Sequence, residues 1–177
     1  PQRLLDALGQ KLAHAGGRDP LAFRLELLGD KDIVAPSVER GQPYNVARMR
    51  AVLQTAADKA GWGRKKFARG QGQGIAFHFS HRGYVAQVAE VTVSKDGKVK
   101  VDRVVVATDV GPTIINLSGA ENQVEGSVID GLSTLMFPEL NLENGRIVQS
   151  NFHDYQLLRI GDAPAKIEMH FVKSDQP

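Results

Sequence analysis

From Ile75 onward the apolar residues recur at every second position instead of every third or fourth, and this change of period limits the possible folds more than any other feature. Ile75, Phe77 and Phe79 point to one side of a first strand, and the runs Tyr84–Val93 and Val99–Ala107 supply two more. The later two are joined by SKDGK, whose Asp96-Gly97 pair suits the positive φ angles of a tight hairpin turn. Strands joined so closely pair antiparallel. Val104, Val105 and Val106 are consecutive, so the third strand is apolar on both faces and belongs inside the sheet.

The first sixty residues carry helical spacing instead. Leu4, Leu5, Leu8 and Leu12 form a stripe that ends at Gly16-Gly17. Asp19 then supplies an N-cap and Pro20 a first-turn residue for a second helix, which carries Leu21, Leu25 and Leu28 and stops at Gly29. A polar stretch from Asp30 to Gln42, with Pro36 inside it, precedes a third helix. There Met49, Val52, Leu53, Ala56 and Ala60 share a face, and Gly61 closes it. Beyond the strands come a turn at LENGRI, a strand through Ile147, an aromatic loop NFHDYQLLRI and a last strand AKIEMHFV. The expected fold is α+β: N-terminal helices packed on an antiparallel sheet, with a glycine-containing helix at about 118–137. The expected division is a helical region at 1–62 and a sheet-plus-helix region at 63–177.

With 177 residues, 42% of them hydrophobic, the chain can bury a sizeable core. Lysine and arginine number 22 against 20 acidic residues, with no run of one sign, which argues against a nucleic-acid partner. No apolar run approaches the roughly 20 residues that span a bilayer. The absence of cysteine excludes thiolate nucleophiles and cysteine-held zinc or iron–sulfur sites within the chain. The chain starts at Pro1, with no initiator methionine, and reads as a segment of a longer protein.

The stretch DVGPTIINLSGAENQVEGSVIDGL, residues 109–132, holds the least ordinary pattern. Ser118 with Glu121 fits a capping box, Val124, Val128, Leu132, Leu135 and Met136 form an apolar face, and Pro138 stops the helix. On another face Gln123, Gly126, Ser127 and Asp130 make a row of small or polar groups that a second body can approach closely. That body is either a neighbouring strand or helix, or a ligand. Gly111-Pro112 tightens the preceding turn, and the amides at the helix start can receive an anion.

Other motifs carry less. GQGQG at 70–74 precedes a strand and not a helix, so it reads as a flexible start to that strand and not as a phosphate loop. His78 and His81 are three apart, on opposite sides of a strand, and read as structural or surface histidines. Ser80, His153 and Asp154 name a hydrolase triad only on paper, because no nucleophile elbow is present and adjacent His-Asp residues do not form the required bond. Asn116-Leu117-Ser118 spells a glycosylation sequon, incidental at a helix cap.

VTVSKDGKVKVDRVVVATDVGPTIINLSGAENQVEGSVIDGLS, followed by NGRIVQSNFHDYQLLRIGDAPAKIEMHFV, resembles the molybdopterin-binding large subunit of the xanthine oxidase and aldehyde oxidase family. The likeness runs from GGRDPLAFRLELLG onward and is most specific between Asp109 and Gly131. It implies that Gln123, in a Gly-x-x-x-Gln-x-x-Gly pattern with Gly119 and Gly126, lies against a molybdenum pterin cofactor in its cytosine dinucleotide form. Residues 109–116 would shape the turn and not react. Leu117 stands where the family often has proline, and the chain ends before the Gly-Glu-Pro segment that holds the family's glutamate base. No catalytic residue and no metal ligand is therefore expected in this chain. The implied parent hydroxylates an N-heteroaromatic compound or an aldehyde with oxygen from water. Its implied partners are the remainder of the large subunit, a small iron–sulfur subunit and a small-molecule substrate. Its compartment, bacterial cytoplasm or periplasm, is left open. The other reading is a non-catalytic module whose glycine-lined helix docks a protein surface.

Overall fold

The structure is a computed structural model and describes residues 2–30, 33–36 and 43–175. Helices α1 (Gln2–Ala15) and α2 (Pro20–Leu28) stand where leucine spacing predicts them. Asp19 caps α2 by accepting the Ala22 N–H at 2.9 Å, and Gly29 ends it with φ 67°. The side chains of Leu4, Leu5 and Leu8 lie outside the described set, and Leu12 of the same predicted stripe is exposed. The polar stretch contains an unexpected short strand, β1 (Ile33–Pro36), aligned antiparallel with β2 (Pro43–Asn45), which follows the stretch. Three or four residues are too few to register a period. The rest of that stretch, 31–32 and 37–42, falls outside the described residues.

Helix α3 (Val46–Ala60) starts at Asn45, whose side chain accepts the Arg48 N–H, and ends at Gly61 in the left-handed region. Met49, Val52, Leu53, Ala56 and Ala60 are all buried, as the spacing requires. Then come β3 (Gln71–Ser80), β4 (Gly83–Val93), β5 (Val99–Asp109), α4 (Leu117–Met136), the short hairpin β6 (Leu142–Glu143) and β7 (Arg146–Ile147), and β8 (Lys166–Phe171). The turn in LENGRI has Asn144 at φ 50° and Gly145 at φ 77°, both positive as a two-residue hairpin demands.

The main sheet has the order β3-β4-β5-β8. Its first three strands are antiparallel, but β8 runs parallel to β5, from Arg103 opposite Lys166 to Thr108 opposite Phe171. The α+β class holds, with a mixed sheet where an antiparallel one is expected. The reason is the connection: α4 carries the chain back along the sheet, and a strand reached through such a crossover enters in the same direction as the one left behind. GQGQG is likewise not a loose lead into β3. Gln71 to Gly74 are part of the strand, paired with Thr92 to Ala89, and only Gly70 keeps a turn geometry at φ 85°.

Two apolar clusters sandwich this sheet. On one face α3 packs its buried residues on Ile75, Phe79, Tyr84, Ala86, Val88, Val105 and Ala107. On the other, Val124, Val128 and Leu132 of α4 meet Val101, Val104, Val106 and Ile167. β5 is therefore buried on both sides, between β4 and β8, which accounts for its three consecutive valines. Its middle and its C-terminal end are tied to α3. Arg103 donates to the carbonyls of Ala60 and Lys59 at the helix C-terminus, and Asp109 accepts from Arg48 in its first turn.

Candidate functional site

Helix α4 is held by one face and bare on another. Its N-cap is Asn116, whose Oδ1 accepts the Gly119 N–H at 2.8 Å, so the predicted Ser118–Glu121 capping box does not form and the helix begins a residue earlier. Asn116 competes well for that role because its short amide side chain reaches the third residue of the helix from an extended backbone. A Cβ on Gly119 would come within 2.9 Å of the Asn116 amide, so glycine at 119 is needed by the cap itself.

The predicted row of Gln123, Gly126, Ser127 and Asp130 is exposed along its whole length. A Cβ added to Gly126 would meet nothing within 4 Å, and the same is true of Gly131. These glycines do not admit any of the described strands or helices. The face offers a primary amide with both donor and acceptor, a stretch of uncovered backbone at Gly126, a hydroxyl and a carboxylate. Such a donor set fits a flat, polar heterocycle laid against the helix. The apolar face is shorter than predicted, since Val124, Val128 and Leu132 pack on the sheet but Leu135 is 80% exposed.

Beneath the turn that leads into α4 lies an ion pair that the sequence did not reveal. Arg48 donates to Asp109 twice, Nε to Oδ2 at 2.8 Å and Nη2 to Oδ1 at 2.6 Å, and both side chains are buried. Asp109 Oδ1 also accepts from the Gly111 N–H and the Ser174 hydroxyl, each at 2.9 Å. Burial pushes the Asp109 carboxyl upward, but the bonds from Arg48, Gly111 and Ser174 outweigh it and hold the group below the usual carboxylate range. Asp109 therefore shapes the turn as a charged acceptor. Nothing along the chain could have matched it with Arg48, because 61 residues separate them.

The remaining motifs resolve as ordinary structure. His78, His81 and His153 are exposed, and no group of three or more potential metal ligands forms among the described residues. The Ser80 hydroxyl bonds to Nδ1 of His81, not to His153. Asp154 accepts the backbone N–H groups of Ser150 and Asn151, a turn-forming role that holds its carboxyl low. Asn116 of the sequon is the helix cap. No described helix is long and apolar enough to cross a membrane.

Comparison with known proteins shows the family to which the chain belongs. The chain is 30% identical over 178 residues to the beta subunit of isoquinoline 1-oxidoreductase from Brevundimonas diminuta, covering 97% of this chain and 20% of that protein. It is 31% identical over 174 residues to the membrane-bound aldehyde dehydrogenase (pyrroloquinoline-quinone) of Gluconacetobacter polyoxogenes, covering 94% and 22%. A subunit of nicotinate dehydrogenase from Pseudomonas putida is 29% identical over 177 residues, covering 94% and 14%. The chain thus spans about a fifth or less of the length of these relatives. Residues 21–164, which include α3, the first three strands of the main sheet and all of α4, match the molybdopterin cofactor-binding domain, and the chain belongs to that family.

Proposed function

We propose that this chain is part of the molybdopterin-binding large subunit of a molybdenum hydroxylase, and that α4 contacts the cofactor through Gln123, Gly119 and Gly126. The observation that carries the reading is the family match over 21–164, within which the Gln123–Gly126 face of α4 is left uncovered by the described elements. When bound, such a cofactor supplies two-electron oxidation with oxygen drawn from water. The chain's part is to bind and orient. The Gln123 amide can donate and accept at once toward the polar edge of a pterin, and Gly126 keeps a side chain out of its way. Gly119, on the same face, leaves its backbone open to the cofactor and also allows the Asn116 cap, which sets where the helix begins.

The relatives are named for isoquinoline, nicotinate and aldehydes, which supports an N-heteroaromatic compound or an aldehyde as substrate. The finer elements of the reading are a cytosine dinucleotide form of the cofactor, a small iron–sulfur subunit as electron acceptor and the remainder of the large subunit as the other wall of the site. The enzyme would work in a bacterial cytoplasm or periplasm. Since one relative is named for pyrroloquinoline quinone, the test measures both cofactors. The full-length subunit is purified with its partners, as wild type and as Gln123→Ala, and assayed for molybdenum, pterin and quinone. Molybdenum and pterin in the wild type, reduced in the variant, are expected. Quinone without molybdenum, or equal molybdenum in both, would overturn the assignment.

A further inference from the structure

The Asp109 carboxylate lies where three parts of the fold converge. Arg48 reaches it from the first turn of α3, Gly111 from the turn that follows β5, and Ser174 from the chain that leaves β8. The Arg48 guanidinium also stacks 4.6 Å from the Tyr84 ring centroid, and the Tyr84 hydroxyl accepts the N–H of Asn45, the N-cap of α3, at 2.7 Å. Bidentate, charge-assisted bonds in a buried setting tolerate little displacement. Residues 110–116, by contrast, lie largely at the surface, with Ile115 97% exposed, so burial does little to hold them.

Building on the proposed contact between α4 and a pterin, we infer that Arg48, Asp109 and Ser174 are positioning residues for the cofactor face. The cluster holds the turn between β5 and α4 in one conformation. Through it, Gln123 and Gly126 are presented at a fixed place relative to the sheet, while the chain leaving β8 is locked to the same carboxylate. None of the three touches the cofactor. Asp109 gives and takes no proton in this role, since its charged form is the one all its donors favour.

The test compares the purified, assembled enzyme as wild type, Asp109→Asn and the milder Ser174→Ala, by amide hydrogen exchange and by molybdenum per subunit. In Ser174→Ala, amides at 110–120 should exchange at least about tenfold faster while those of α3 and β4 stay within about twofold. Molybdenum occupancy should fall in step, and Asp109→Asn should show the same pattern more strongly. Should Asp109→Asn not fold, Ser174→Ala alone decides. Equal acceleration in α3, β4 and the turn would make the cluster general fold support and overturn the inference. Unchanged exchange at 110–120, or a loosened turn with full molybdenum, would overturn it too. A wild type without molybdenum would remove the proposed function, and this inference would fall with it.

Discussion

Arg48 and Asp109 show how much a single buried pair can carry and how little of it a sequence displays. An arginine in a helix reads as a solvated side chain, and its partner lies 61 residues away. Arg48→Ala would leave the carboxylate buried without its guanidinium, at a cost of about 3–5 kcal/mol, seen as a lower urea midpoint. A second cluster, where Arg103 in the middle of β5 meets Glu168 of β8, contributes to the acid limb of stability. Bonds from Arg103 and Lys166 lower the Glu168 carboxyl from an ordinary 4.5 to about 2. A folded-state value below the unfolded one means that this contribution is complete above about pH 5 and is lost as pH falls toward 2. It should be on the order of 3 kcal/mol. Urea midpoints recorded from pH 6 to pH 2 should fall less steeply in Glu168→Gln than in the wild type. The same slope in both would assign the acid limb to other carboxylates.

At the scale of the element, α4 separates what periodicity can tell from what it cannot. The repeat of Val124, Val128 and Leu132 correctly marks the face that meets the sheet. Leu135 lies at nearly the same angle as Val124, eleven residues on at 100° each, yet it is exposed, so it lacks a partner and not an orientation. The start of the helix was legible only within a residue or two, because Asn116 and Ser118 are both good caps and only the backbone geometry chose between them. The helix glycines allow a direct comparison. Gly126→Ala and Gly131→Ala meet no obstacle, so each should raise stability by about 0.5–1 kcal/mol. Gly126→Ala alone, on the Gln123 face, should also lower molybdenum content in the full-length subunit. Gly119→Ala should instead lose about 1 kcal/mol by displacing the Asn116 cap. If Gly126→Ala gained stability and kept its molybdenum, the face would not be a cofactor contact.

Taken as a whole molecule, the chain is finished on one side and open on the other. Between α3 and the sheet lies a closed core, whereas the region from 110 to 160 leaves large apolar side chains in water, among them Ile115, Leu135, Leu142, Phe152 and Ile160. Exposure on this scale is characteristic of surfaces that meet another body. The chain expressed alone should therefore bind a hydrophobic dye strongly, and a Leu135→Gln, Ile160→Gln double variant should bind markedly less with an unchanged melting temperature. Equal dye binding in the two proteins would place the accessible apolar surface elsewhere.

The sequence by itself determined the features that depend on neighbours a few residues apart: the buried face of α3, the part of the α4 face that meets the sheet, the caps at Asp19 and Gly61, the hairpin turns, the doubly apolar β5 and the row of small and polar groups on α4, though not that this row is left uncovered. These follow from side-chain period and local backbone chemistry, which a linear string contains in full. Only the tertiary structure decided the parallel direction of β8, the pairing of β1 with β2, the place of GQGQG inside a strand and the convergence of Arg48, Gly111 and Ser174 on Asp109. Each of these depends on contacts between residues that the fold must first bring together, and their energy comes from burial and mutual hydrogen bonding that no spacing rule records.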